Sequence, residues 1–565
     1  MKKPHSQITL LFAILGIPSI YASDTLYKAP LTVADQLNKG ERNSSYSDCT
    51  AYAFGSRESD TYSEYESIEF INNGAHAFAY TEWANTFLGY YAYSHAKGGA
   101  LHSLSNLTIS NNVEVNFDSN YAYAFSRSER SEDSYSYYNS HAYGGAIGTY
   151  GSLNIIDNGN VLFNNNRSEA YYTYGGAIYS EGAINIINNT EVTFSCNYEY
   201  QERGFGSSYK YSPGDRSGRG SILLQSIYMT PDTESDTLTL SAKTGGHITF
   251  YDSVYMGNYT GTTVTLNADY QDSLGNQQKA TGDIIFSGKY TEDHLKEIKG
   301  GTAGTESEIT NSRTSSLLNS INLHGGTLRV EDNAVLNTHT ITVISGSNAT
   351  VKITDAELNA TSYDITINNS GSLALGSTNG STKITAGNIN IEEGAILSTG
   401  LTETINNISA TSLMNSNNYT IYNQQLGGTI NGNLNLDAGS TYIANGANLN
   451  IETGTLSLLS TDENKINLIL SKNETYEADS QINLFTGVDT IVFSLDDITA
   501  TSADEIITLS ASDYFCGDWI NETTSLVYDG SNVFISGVNF VIPEPGTTTL
   551  CLLGLTGLCL RRKLH

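Results

Sequence analysis

At 565 residues with a net charge of −31, the chain is long enough for a large core and too acidic to lie along a nucleic-acid backbone. Only 15% of its residues are charged; Asn, Ser, Thr, Gly and Tyr fill the polar positions, which suits turn-rich β-structure better than helices. Cys49, Cys196 and Cys516 lie far apart, with Cys551 and Cys559 in the tail, so neither a disulfide scaffold nor a metal spacing is present and any pairing stays open.

Residues 1–22 read as a secretory signal: Lys2 and Lys3 precede the apolar run Ile8 to Ile17, and Ala22 marks the cut. Such a run is too short to span a bilayer, which takes about 20 residues.

Residues 23–212 carry a repeat in fixed register. Gly98-Gly99-Ala100-Leu101, Gly144-Gly145-Ala146-Ile147 and Gly175-Gly176-Ala177-Ile178 each begin 19 residues before a Phe-x-x-Asn, at Phe117 to Asn120, Phe163 to Asn166 and Phe194 to Asn197. A further Phe-x-x-Asn runs from Phe70 to Asn73. The distance back to the previous Phe is 28, 27 or 12 residues, so constant segments are joined by free-length ones, the pattern of stacked structural units. Leu153 to Ile156 and Val161 to Phe163 predict two strands per unit, with Phe stacked inward, Asn at turns where its side chain hydrogen-bonds backbone or stacks in a ladder, and the paired glycines at positive φ or close backbone contacts. The free-length segments are tyrosine-rich: residues 45–212 hold 23 of the 38 tyrosines. Tyr121, Tyr123, Tyr135, Tyr137, Tyr138, Tyr171, Tyr172 and Tyr174 are the candidate binding residues, since tyrosine gives rigid, amphipathic contact area and solenoids place binding in variable loops. The alternatives are extended β-edges or disordered decoration.

Residues 213–318 change texture, with Leu238 to Ala242, His247 to Asp252 and Gly282 to Gly288 as strands and Glu292 to Lys299 as a polar helical stretch. Together with the Gly-Gly-Ala-[Ile/Leu] and Phe-x-x-Asn repeats, this region resembles the passenger of the polymorphic outer membrane protein family of autotransporters, over about residues 68–345. The resemblance implies a surface-exposed, adhesin-like β-helix. The chain departs from that family in ending without the alternating strands of a translocation barrel.

Residues 319–470 repeat alternating triplets such as Val351 to Ile353, Leu373 to Leu375, Ile365 to Ile367 and Ile389 to Ile391, at steps of 22 and 24 residues, a coil length with two principal strands. Residues 471–541 lose the repeat and read as an irregular β cap over the last edge. Residues 542–565 place Pro543, Glu544 and Pro545 before the apolar run Leu550 to Leu560 and then Arg561, Arg562 and Lys563. This tail resembles the PEP-CTERM sorting signal, which implies transient membrane anchoring and an exosortase-type processing enzyme as partner.

The sequence offers little catalytic chemistry. A polysaccharide lyase or hydrolase would need carboxylates projecting from neighbouring coils; Asp496-Asp497 and Glu392-Glu393 are adjacent pairs without repetition at coil spacing. His95 and His141, each three residues before a Gly-Gly, come together if coils align, with His76 and His102 nearby, but no Cys or Asp joins them as a metal set. No catalytic residue, cofactor or metal is assigned. The expected fold is all-β, a right-handed parallel β-helix with an irregular β C-terminal cap. The expected protein is exported, non-enzymatic and adhesin-like, at the cell surface, outer membrane or extracellular matrix, binding glycans, mucin or matrix polysaccharide. The alternatives are a polysaccharide-active enzyme on the same scaffold and a purely structural matrix protein.

Overall fold

The computed structural model describes residues 23–28, 33–39, 46–54, 60–81, 90–128, 136–201, 222–257, 259, 261–271, 276–377, 381–399, 427–444, 449–470, 481–502, 506–517 and 520–538. The stretches expected as terminal signals, 1–22 and 542–565 with Pro543, Glu544, Pro545, Arg561, Arg562 and Lys563, lie outside these residues.

The chain winds into a parallel β-helix with three strands per coil, not two. In one coil these are Ile147–Thr149, Leu153–Ile156 and Asn160–Asn164, and each pairs in parallel with its counterparts in the coils before and after. The extra strand is the one that the Gly-Gly-Ala-[Ile/Leu] motif opens. It is only three residues long and two glycines precede it, so hydrophobic alternation alone does not reveal it. The plainer C-terminal coils have the same three faces. A single aliphatic column follows the pairing from Leu107 through Leu153, Ile184, Leu238, Val264, Ile321, Ile341, Ile365, Ile389, Leu434 and Leu456 to Ile491. All of these side chains are buried.

The two motifs fix the corners of the N-terminal coils. Phe70, Phe117, Phe163 and Phe194 stack inside at 4.7 Å between successive ring centroids, and Phe250 and Phe286 extend the column at 4.9 and 5.2 Å. The two glycines of each pair do different work. Gly98, Gly144 and Gly175 have φ of 60°, 61° and 70°, where a side chain is strained. Gly99 and Gly145 face the carbonyl oxygen of the next coil's second glycine, which a Cβ would meet at 1.9 and 2.0 Å.

The asparagines form a buried ladder. Asn73, Asn120 and Asn166 each donate backbone N–H and side-chain Nδ2 to the Oδ1 of the next coil's asparagine, at 2.9–3.2 Å. Asn120, Asn166 and Asn197 also donate Nδ2 to the carbonyl of Phe70, Phe117 and Phe163 one coil back. A second ladder, absent from the sequence reading, runs through Asn112, Asn158 and Asn189 at the neighbouring corner. The first ladder ends on Asp252, whose Oδ2 accepts both Asn197 donors at 2.9 and 2.8 Å.

Two helices are inserted after the strand Asp283–Ser287. Thr291–Ile298 coincides with the polar helical stretch expected there. Glu306–Arg313 was not expected, although Thr305 and Glu308 form a complete capping box. This pair covers the strand Ile222–Met229: Glu308 accepts the Ile222 N–H, Ser312 accepts the Leu224 N–H, and Leu295 packs with Tyr198, Ile222 and Leu224. At the other end, antiparallel strands Ile482–Thr486, Ile507–Ser510, Ser525–Tyr528 and Val533–Ser536 close the solenoid. Tyr442 and Tyr528 are buried in this region, with hydroxyls donating to the carbonyls of Leu484 and Val488. Cys196 and Cys516 are free thiols, and the Cys49 side chain lies outside the described residues.

Asn166→Ala strips the acceptor from two buried Asn120 donors and the donor from the Phe117 carbonyl. At about 1–3 kcal/mol per orphaned group it is expected to cost about 3 kcal/mol or more, read as a lower urea midpoint; Leu162→Thr, at an exposed position of the preceding strand, should leave the midpoint unchanged. Burial raises the Asp252 carboxyl to about 7, against hydrogen bonds from Asn197 and Cys196 that lower it. A folded value above the unfolded one of about 3.9 means that the folded chain holds this proton more tightly. Its stabilisation is therefore complete below about pH 4 and lost as pH rises through about 7. Asp252→Asn should flatten that limb in urea titrations across pH 4–8 and gain at most about 4 kcal/mol at pH 8.

Candidate functional site

The tyrosine-rich segments are strands, not loops. Between the Phe-x-x-Asn corner and the next Gly-Gly, the chain leaves the three-sided coil and returns as a two-layered fin. Gly74–Thr81, Tyr121–Ser128, Arg167–Ala170 and Tyr198–Gln201 form one layer. Tyr90–Ser103, Ser136–Tyr143 and Tyr172–Tyr174 form the other. Between them lies a core of alanines: Ala75, Ala77, Ala122, Ala124 and Ala170 from the first layer, Ala96 and Ala142 from the second, all at 0% exposure. The Tyr-Ala-Tyr-Ala texture is thus strand alternation, with alanine inward and the aromatic ring outward. A methyl-only core contributes about 0.8 kcal/mol per buried carbon, so the fin depends on its backbone ladder more than the solenoid does.

The eight candidate tyrosines fall on different surfaces. Tyr121 and Tyr123 face outward from the first layer. There Tyr121 lies across Gly74, with the Arg167 guanidinium 5.3 Å from its ring centroid and His76 at 4.9 Å. Tyr172 and Tyr174 face outward from the second layer, on the opposite side of the alanine core. Tyr171 sits at the turn between layers, edge-on to Tyr172 at 4.7 Å. The strand Ser136–Tyr143 contains Tyr137 and Tyr138, but their side chains, and Tyr135 altogether, lie outside the described residues.

The second layer holds the denser array, and it recruits residues not counted among the candidates. His95, His141 and Tyr172 stack in register at 5.0 and 4.9 Å. Beside them run Lys97, Tyr143 and Tyr174: the ammonium lies 5.5 Å from the Tyr143 ring and the two rings are 5.1 Å apart. A third column, on the adjoining solenoid strands, follows Tyr179, Tyr228 and Tyr255, the last two stacked at 4.6 Å. Gly148 leaves that column open between His102 and Tyr179, and Tyr143 leans against Tyr179 at 4.7 Å. Tyr179 donates to Glu181 at 2.8 Å, and Lys97 bonds the Tyr150 hydroxyl. The signal for these extra members was available: Lys97, Tyr143 and Tyr174 each immediately precede a Gly-Gly, and Tyr179 and Tyr228 each follow an Ile.

This geometry limits the chemistry. Rings inside the columns, such as His141 and Tyr143, have both faces occupied, so they turn imidazole and hydroxyl edges to solvent. The surface suits polar contact along a stripe more than sugar-on-ring stacking. His95 and His141 do meet, as flat stacked rings. Among the described residues, no group of three or more His, Cys, Asp or Glu converges on a metal position. Of the acidic pairs, Asp496 accepts the Tyr514 hydroxyl at 2.7 Å. Glu392 meets Asp437 of the next coil; burial, then the Glu392 charge and their hydrogen bond, raise the Asp437 carboxyl to about 6. That contact was invisible in sequence because the intervening coil is long.

Residues 160–181 match a family signature described as a Chlamydia polymorphic membrane protein (Chlamydia_PMP) repeat. The matched stretch runs from Asn160 through the Phe163 to Asn166 corner and the fin strands to Gly175-Gly176-Ala177-Ile178, so it contains one turn of both motifs and one short fin excursion. No curated protein and no solved structure matches the chain.

Burial pushes the His141 imidazole down to about 4, with the neighbouring His95 and Lys97 charges acting in the same direction. Its neutral form belongs to the folded fin, so this contribution is present above the unfolded value of about 6.5 and is lost as pH falls toward 4. An NMR titration should place His141 well below an ordinary histidine, and His95→Ala should move its midpoint upward.

Proposed function

We propose that the protein is a surface-exposed, adhesin-like β-helix of the polymorphic membrane protein kind, with the outer face of the fin's second layer as its contact surface. The matched repeat supports the surface assignment, since that family is associated with the bacterial outer membrane or surface. One observation carries the choice of face: histidine and tyrosine edges aligned in register across successive coils, half-buried, on a layer that the solenoid core does not need. Hydroxyl and imidazole edges at a repeat of about 4.8 Å suit an extended polar polymer, and the reading is binding of a glycan, mucin or matrix polysaccharide along the stripe. Export through the N-terminal signal, and transient anchoring with exosortase-type processing near Pro543, complete the proposal.

Beads coated with the chain should adhere to immobilised mucin or matrix polysaccharide. The pair Tyr143→Ser and Tyr174→Ser should weaken adhesion at least about tenfold, the scale of one aromatic hot spot. Tyr121→Ser with Tyr123→Ser, on the other layer, should leave it largely intact. Equal adhesion by all variants removes the face from the proposal, and no adhesion by the unaltered chain favours a purely architectural role.

A further inference from the structure

Away from the aromatic stripe, three side chains from three elements meet where the first asparagine ladder ends. Ser195 is the last residue of the strand Ile184–Ser195, Asp252 follows Phe250 in the next coil, and His294 comes from the inserted helix Thr291–Ile298. Ser195 Oγ lies 3.4 Å from His294 Nε2, and His294 Nδ1 lies 3.9 Å from Asp252 Oδ1. The Asp252 side chain is wholly buried; its Oδ2 is held by Asn197, while its Oδ1 and His294 Nδ1, facing each other, have no other hydrogen-bond partner among the described residues. Ser195 is partly exposed.

The order hydroxyl, imidazole, buried carboxylate is the arrangement that activates a serine: the imidazole takes the hydroxyl proton and the carboxylate holds the ring in orientation. Contacts of this kind are often long in the unliganded state and tighten when a substrate arrives. Burial lowers the His294 imidazole, against Glu297 and Asp293 on its own helix, so it is a neutral base near neutral pH. Structural need alone does not account for the set, because the ladder is already complete at Asp252 Oδ2.

We propose that Ser195 is an activated nucleophile that accepts acyl groups from activated esters, with His294 as general base and Asp252 as its positioning residue. Ser195 Oγ bonds to the ester carbonyl carbon, the bond from that carbon to the leaving oxygen breaks with its electron pair, and the hydroxyl proton passes to His294 Nε2 and then to solvent. The backbone N–H groups of Cys196 and Asn197, which follow the nucleophile, are both directed at Asp252. With these donors spent, the site is built to take one acyl group and not to turn over rapidly.

The full chain treated with p-nitrophenyl acetate at pH 8 should release about one equivalent of p-nitrophenolate in a burst, with the acetyl group found on Ser195 by peptide mass spectrometry. Ser195→Ala should abolish the burst, and His294→Gln should slow it at least about tenfold, the low end of general-base effects. Asp252→Asn retains an acceptor for both Asn197 donors, so the fold is kept; it should slow acylation at pH 8, where the Asp252 carboxyl is ionised, and remove the rise in acylation that the unaltered chain shows as pH passes through about 7. Acetyl groups confined to lysines and tyrosines, or an equal burst in His294→Gln, would overturn the assignment.

Discussion

Everything in this molecule follows from the requirement that a side chain tolerate its own neighbour in the next coil. Parallel in-register pairing sets equivalent positions about 4.8 Å apart, with no turn of the helix to separate them. Phenylalanine meets this by ring stacking, asparagine by donating and accepting along one line, alanine by size, and aliphatic residues by continuous apolar contact. A carboxylate on a carboxylate at that distance does not, because like charges opposite each other are destabilising. The chain is strongly acidic overall, yet its strands are written in Asn, Ser, Thr and Tyr. Where two carboxyls do meet, at Glu392 and Asp437, one is pushed toward protonation.

The same requirement explains why the ladder ends where it does. After Phe250 the corner loses a residue, so the position that would be asparagine falls on Asp252, and Tyr251 N–H takes the Phe194 carbonyl in place of a side-chain donor. The Asp252 Oδ2 receives the Asn197 donors, but a carboxyl has no amide N–H groups with which to pass the pattern on. The ladder therefore stops with a buried carboxyl, and the inserted helix brings His294 to its vacant oxygen. The helix pair also covers the last fin strand, Tyr198–Gln201, which turns antiparallel onto Ile222–Met229. Ladder and fin end within one coil of each other, under the same insertion.

Much of this was legible in the residues. The constant 19-residue register gave the Phe column, the first Asn ladder and the two kinds of glycine, because each depends on local motif chemistry. The third strand was hidden behind glycines that erase alternation. The fin's strands match the β-edge alternative and not free loops; a Tyr-Ala repeat reads as low complexity, although its period of two is that of a strand with a very small core. The helix Glu306–Arg313 is marked in the sequence by Thr305 and Glu308, the two ends of its capping box. Contacts such as Ser195 with His294, or Glu392 with Asp437, join residues separated by insertions of arbitrary length, and no spacing rule reaches them.

The fin also shows how one scaffold can vary a surface without endangering its core. The solenoid's three strands keep their register whatever lies between Asn166 and Gly175 or between Asn120 and Gly144, since the chain leaves and re-enters the coil at fixed corners. A longer excursion adds rungs of the same alternating pattern to both layers, held by an alanine core that demands little of the sequence. Outward positions are then free to carry any side chain that stacks on itself. Tyrosine and histidine satisfy that rule while presenting a polar edge, which neither phenylalanine nor a charged residue does. The composition of the fin is what self-stacking allows on a face meant to stay wet.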